Sequence, residues 1–172
     1  MHEPPELTLA PPASEADWQQ ARVILREYAA QLGVDLCFQQ FDAELDELGT
    51  HYGAPHGLFL LAWLDGAVAG CGGFRPLPDV DYPNACEMKR LFVRPAFRGF
   101  GLGRHIAQAL TERALEAGYS TMLLDTLDDM EAARGLYESL GFEEVPPYYF
   151  NPLPGAHYLK CELAAPRPSF YG

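Results

Sequence analysis

Long apolar runs are missing from this 172-residue chain. The longest, GLFLLAWL from Gly57 to Leu64, falls far short of the ~20 residues a helix needs to cross a bilayer. The opening MHEPPELTLAPP has no basic start followed by an apolar stretch, so a secretory leader is not expected and a cytoplasmic protein is. Positive charge is scarce, with 12 Lys and Arg against 24 Asp and Glu, a formal net charge of −12. That balance repels nucleic acid and anionic membrane, so neither is expected as a partner, and it favours small cationic molecules by steering. Cysteines are few: Cys37, Cys71, Cys86 and Cys161 form no C-x-x-C pair, and no His stands at ligand spacing. The sequence therefore predicts neither a metal site nor a disulfide framework, only free, buried or half-buried thiols in a reducing compartment. No internal repeat and no interdomain linker is visible. The length suits one domain with room for a hydrophobic core, expected over residues 7–163, with 1–6 and 164–172 as terminal extensions.

What is present is a regular succession of short elements. ELTLA alternates as an edge strand before Pro11-Pro12. SEAD, from Ser14 to Asp17, resembles a capping box, and Trp18, Leu25, Tyr28 and Leu32 then share one helical face. Phe41, Leu45 and Leu48 predict a second, shorter helix ending near Gly49. GLFLLAWL and AVAGCGGF flank Asp65-Gly66, a hairpin signal. PLPDVDYPN reads as a loop, and CEMKRLFV as a strand whose charges are unusual for a buried one. Leu102, Ile106, Leu110 and Leu115 predict a helix that Gly118 stops, and STMLLDT a short buried strand. Asp128 or Asp129 is expected to cap a further helix carrying Ala133, Leu136, Tyr137 and Leu140 inward and ending at Gly141. FEEV and AHYLKCEL are the last strands expected. Hairpins first, then alternating strands and helices, predict an α/β fold with a mixed sheet and helices on both faces.

One stretch contradicts the acidic average. RGFGLGR, from Arg98 to Arg104, sets three glycines between two arginines at the start of a helix. Glycine there costs conformational entropy, which a tight turn or an anion cradle would explain. A strand, a glycine turn and a helix N-terminus together converge free N–H groups on a phosphate, and the arginines add charge. The spacing fits neither the P-loop nor G-x-G-x-x-G.

With EMKRLFVRP before the glycines and LYESLGF after them, the sequence resembles the GNAT superfamily of acetyl-CoA-dependent N-acetyltransferases. The family's Q/R-x-x-G-x-G/A signature is matched by Arg98-Gly99-Phe100-Gly101-Leu102-Gly103. The likeness runs roughly from Leu7 to Leu163 and is strongest between Cys86 and Val145. It implies a mixed, mostly antiparallel sheet splayed in a V and flanked by about four helices. Acetyl-CoA would be the co-substrate, its pyrophosphate on Arg98, Gly99, Phe100, Gly101, Leu102, Gly103 and Arg104, its pantetheine along the backbone of Leu91, Phe92 and Val93.

The resemblance also implies two catalytic groups. Glu87 matches the strand glutamate that takes a proton from the amine in many members. A solvated strand-edge carboxylate, or a partner for Lys89 or Arg90, is the competing expectation. Tyr137 matches the tyrosine that approaches the CoA sulfur and can protonate it; an ordinary core aromatic is the alternative. Met130 stands where many members carry an Asn that contacts the cofactor arm. Tyr148, Tyr149, Phe38 and Arg75 are candidates to line the acceptor site, against plain aromatic packing. The reaction implied is direct acetyl transfer in a ternary complex to a primary amine of a small molecule, amino acid or peptide, by a monomer or homodimer. The acidic surface favours a cationic acceptor, whereas Arg75 and Lys89 in the cleft would favour one carrying a carboxylate. Acetylation of a protein N-terminus or lysine is the alternative reaction, and a silent acyl-CoA sensor the alternative class.

Overall fold

The computed structural model describes residues 6–32, 41–127, 131–153 and 155–163. Cys37, Phe38, Asp128, Asp129 and Met130 lie outside them.

β1 (Leu7–Ala10) is an edge strand, as its alternation suggests. The Ser14 hydroxyl then accepts the Asp17 N–H at 3.1 Å, and the Asp17 carboxylate accepts the Ala13 N–H at 2.9 Å. These two bonds satisfy donors that a helix start leaves open, and α1 (Glu15–Leu32) follows. The helix expected from Phe41 to Gly49 is instead two, α2 (Phe41–Asp46) and α3 (Leu48–His51). Glu47, at φ −130° and ψ 42°, breaks the helical path, and Gly49 lies inside the second piece rather than at its end. β2 (Leu58–Leu64) and β3 (Ala67–Pro76) form a hairpin about Asp65 and Gly66, whose φ of 51° and 85° are what its tight turn requires. β4 (Ala85–Val93), α4 (Leu102–Glu116), β5 (Thr121–Leu127), α5 (Glu131–Ser139), β6 (Glu143–Val145) and β7 (Ala156–Glu162) complete the order. Five helices are thus present among the described residues, against the four or so expected.

The strands form one seven-stranded sheet, β1-β2-β3-β4-β5-β7-β6, antiparallel except where β4 meets β5. Side chains alternate between two cores. Leu60 and Ala62 join Leu102, Ile106 and Leu110 of α4, while Phe59 and Leu61 join Ile24 and Leu25 of α1 and Leu45 of α2. Leu115 does not belong to the α4 stripe and is 47% exposed; Ala114 takes the inward place. At 100° per residue Leu115 lies about 220° round from Leu102, off a stripe that steps by four. Cys71, Cys86 and Cys161 are buried free thiols.

The sheet opens between β4 and β5. Pairing runs only from Ala85↔Thr121 to Glu87↔Leu123, so Met88–Val93 has no β5 partner. A bulge helps turn β4 away. Cys71 faces Phe92 but Gly73 faces Lys89, leaving both Arg90 and Leu91 opposite Gly72, and Arg90 takes φ 65°. Consequently Met88, Leu91 and Val93 pack toward α4, while Glu87, Lys89, Arg90 and Phe92 face the α1–α3 side.

Candidate active site

At the wide end of the gap lies the glycine loop. The first α4 main-chain bond runs from the His105 N–H to the Gly101 carbonyl, and among the described residues no N–H from Gly99 to Arg104 finds an acceptor. Gly99 and Gly101 sit at φ 94° and 71°, with no atom within 4 Å of where a Cβ would stand. Their reason is backbone conformation, which also leaves the N–H groups uncovered. Gly103 differs: it is helical, and a Cβ there would make ordinary contacts with Leu136 and Val93 at 3.6 and 3.8 Å. Leu102 is buried in the core, so only its backbone faces the loop, and Phe100 is 60% exposed. The Arg98 guanidinium donates to the Val93 carbonyl at 3.0 Å and to Gln31 at 2.7 Å, and lies 5.8 Å from the Phe92 ring centre. Arg104 donates to the Ser139 hydroxyl at 2.6 Å. Both cations are thereby held at the loop, one from the β4–α1 side and one from α5. Beside them Leu91, Phe92, Val93 and Arg98 line a cavity of about 310 Å³ with Tyr28 and Gln31.

Tyr137 is fixed by the turn that ends its helix. Gly141, at φ 95°, lets the Phe142 N–H reach back to the Tyr137 carbonyl at 3.0 Å, while the Gly141 N–H bonds Glu138. Phe142 then lies edge-on to the Tyr137 ring, centres 5.7 Å apart. The ring is buried, yet its hydroxyl has no hydrogen bond among the described residues. Burial first, then the nearby Tyr28 and Asp125, raise the phenol well above its usual range. Tyr137 is therefore both core aromatic and carrier of an uncommitted donor.

At the closed end of the gap Arg75, Glu87, Lys89, Tyr148 and Tyr149 line a cavity of about 370 Å³, together with Glu44, His51 and Asp79. Glu87, 3% exposed, is the last β4 residue paired with β5 and so marks where the strands part. Its Oε2 accepts the Tyr148 hydroxyl at 2.7 Å; Arg75 and Lys89 approach Oε1 at 3.7 and 3.8 Å. It is not a solvated edge carboxylate. Lys89 is its ion-pair partner, whereas Arg90 belongs to Glu44, with bonds of 2.8 and 3.1 Å. Burial lowers the Lys89 ammonium from its ordinary value, with Glu87 opposing the shift. Tyr148 is pushed far up by burial and by the charge of Glu87. The Tyr149 hydroxyl donates to Asp125, which also accepts from Asn151 at 2.9 Å. Tyr158 meets the rings of Tyr148 and Tyr149 edge-on and those two lie tilted against each other, so the aromatic packing expected as an alternative coexists with the place of Tyr148 and Tyr149 on the cavity wall.

Residues 18–142 match the model of the acetyltransferase (GNAT) family. The chain belongs to the GNAT family of acetyltransferases. It is 37% identical over 165 residues to an uncharacterised N-acetyltransferase of Schizosaccharomyces pombe, covering 95% of this chain and 99% of that one. It is 35% identical over 127 residues to another from Escherichia coli, covering 73% and 75%. A structure of an acetyltransferase from Salmonella typhimurium with its cofactor acetyl-CoA superposes with a TM-score of 0.66 at 20% identity, covering 94% of this chain and 96% of that one.

Within this GNAT chain the structure gathers the expected site residues into two groups along one gap. The glycine loop and Leu91–Val93 stand at its open end and Arg75, Glu87, Tyr148 and Tyr149 at its closed end, with Tyr28 and Asp125 near enough to Tyr137 to act on its phenol. Phe38 lies outside the described residues. Sequence reasoning missed Glu44, His51 and Asp125. Glu44 had left a signal, since with Phe41, Leu45 and Leu48 it completes an i, i+3, i+4, i+7 inward stripe. Among the described residues no group of His, Cys, Asp and Glu is arranged to hold a metal, and no helix is long and apolar enough to cross a membrane.

Proposed function

We propose that this chain moves an acetyl group from acetyl-CoA to a primary amine of a small molecule, amino acid or short peptide, by direct transfer in a ternary complex. The observation that carries this reading is the run of uncovered N–H groups from Gly99 to Arg104, set beside a strand edge that β5 leaves unpaired. Those donors suit the pyrophosphate, with Arg98 and Arg104 adding charge, and the backbone of Leu91, Phe92 and Val93 suits the amide-bearing arm. When bound, the co-substrate supplies an acetyl thioester. Glu87 takes a proton from the acceptor amine, held in place by Tyr148 through their 2.7 Å bond. The freed amine nitrogen bonds the acetyl carbon, the carbon–sulfur bond breaks with its electron pair staying on sulfur, and the nitrogen gives up its surplus proton to solvent. The proton on Glu87 passes to solvent. Tyr137 Oη donates a hydrogen bond to the departing sulfur. Its raised phenol makes full proton transfer to a thiolate of pKa about 8.5 more uphill than the sequence suggested, so donation without transfer is the better description. A cavity of about 370 Å³ favours a small acceptor over a folded protein surface.

The test is thermal denaturation with acetyl-CoA. A ligand held only by the native state adds about 2.7 kcal/mol at a hundredfold excess over Kd, and analogues without the pyrophosphate should add less. An unmoved melting temperature at millimolar acetyl-CoA would overturn the reading, and binding without acceptor-dependent thiol release would mean a silent sensor.

Within the loop the glycines should separate. Gly101→Val forces a branched residue into the left-handed region, costing about 1–3 kcal/mol, and should weaken acetyl-CoA at least about tenfold. Gly103→Ala should bind as wild type, because its Cβ meets only ordinary contacts. Calorimetry on both variants checks this; equal affinities in all three proteins would make the loop a turn and nothing more.

A further inference from the structure

Arg75 stands out in the closed-end cavity. Its guanidinium is 27% exposed, and its two carboxylate neighbours lie at 3.7 Å (Glu87) and 3.9 Å (Glu44). Both distances exceed the ~3.2 Å limit of a good hydrogen bond, and Arg75 makes none among the described residues. Each of those carboxylates already has closer company. Glu44 is engaged by Arg90 and by the Tyr52 hydroxyl at 3.0 Å, and Glu87 by Tyr148. A planar fork of donors thus fronts a cavity with its hydrogen bonds unspent, and that fork matches a carboxylate. Lys89 and His51 add donors to the same lining. Asp79 and Asp125 are the opposing charges nearby, the first on the exposed loop, the second bound to Tyr149 and Asn151.

We infer that the acceptor is a small amine that also carries a carboxylate, held by Arg75 while its amino group meets Glu87. This rests on the acetyl transfer proposed above and names its substrate class. Arg75 and Glu87 are directly opposed across β3 and β4, so a cation and a carboxylate sit side by side on one wall. A zwitterion satisfies both: its carboxylate takes the Arg75 fork and its ammonium delivers a proton to Glu87. A bare amine would use only half of this arrangement and would leave Arg75 without a ligand partner. The position along the gap agrees, because Glu87 marks the point where β4 and β5 part.

The experiment uses the full chain with acetyl-CoA and reads free thiol released with three matched sets: the common amino acids, their carboxamides, and the amines that remain when the carboxylate is removed. At least one amino acid should exceed its carboxamide and its bare amine in kcat/KM by about tenfold or more. Arg75→Gln should raise KM for that amino acid by about 10- to 150-fold, the worth of a charge-assisted pair, and by a clearly smaller factor for its carboxamide, so that the preference for the acid collapses. Arg75→Lys should recover part of the loss. Equal turnover of acids and amides by the wild-type protein overturns the inference and needs no variant to fold. A panel in which no member releases thiol although calorimetry shows acetyl-CoA bound would mean the silent sensor, and it refutes the transfer reaction together with the inference. Failure of acetyl-CoA to bind at all refutes the transfer reaction as well.

Discussion

Tyr137→Phe is expected to lower kcat about 100-fold while leaving the affinity for acetyl-CoA close to that of the unaltered protein. The substitution removes one oxygen and keeps the ring that Phe142 packs against at 5.7 Å. Because the hydroxyl makes no hydrogen bond among the described residues, its loss breaks no contact of the fold, and the unfolding free energy should move by less than about 0.5 kcal/mol. The effect belongs to the transition state: a donor aimed at sulfur matters most as charge collects there, so kcat and kcat/KM should fall together. Burial raises the phenol above its ordinary range, so Tyr137 stays protonated throughout the working pH range. The variant should therefore lose rate without changing the shape of the pH–rate profile. Steady-state kinetics on a competent acceptor, with calorimetry for the co-substrate, checks both halves. Equal kcat in the two proteins would reduce Tyr137 to a core residue.

The second half of the fold is the more legible in sequence because glycine and proline punctuate it. Gly118 and Gly141 end α4 and α5 in the left-handed conformation, at φ 100° and 95°, where a side chain would be strained. The glycine loop could be found for the same reason. What escaped notice depends on partners distant in sequence. The charges of EMKR look wrong for a buried strand until Glu44, 46 residues before Arg90, is brought against it. The bulge at Arg90 is invisible to an alternation argument, since one extra residue reverses which face every later side chain takes. The break between α2 and α3 was hidden because Phe41, Leu45 and Leu48 keep a helical stripe across it. Residue types at the site were readable; their division into a loop end and an acceptor end came only with the register.

Glu44→Ala should destabilise the protein by about 3–5 kcal/mol, the usual cost of removing one member of a buried ion pair. Glu44 and Arg90 are 1% and 2% exposed in their side chains, and two bonds of 2.8 and 3.1 Å join them. The guanidinium also lies against the rings of Phe41 at 5.1 Å and Tyr28 at 5.9 Å, but cation–π contacts do not replace a carboxylate. Arg90 moreover holds φ 65°, which its backbone would not choose, so losing the pair also loosens the bulge that turns β4 from β5. The pH dependence has a definite sign. Burial alone would raise the Glu44 carboxyl, but the hydrogen bonds and charge of Arg90 outweigh it, and its pKa falls below the ordinary 4.5. A depressed carboxylate stabilises the fold above its unfolded value, and that contribution is lost as pH falls through the folded one. Urea unfolding should therefore show the full gap between the native protein and Glu44→Ala near pH 7. The gap should narrow below about pH 4.5, as protonation of Glu44 removes its negative charge from Arg90 in the native protein too. A gap independent of pH would mean that Glu44 acts through packing alone, and that the bulge needs no ion pair to hold it.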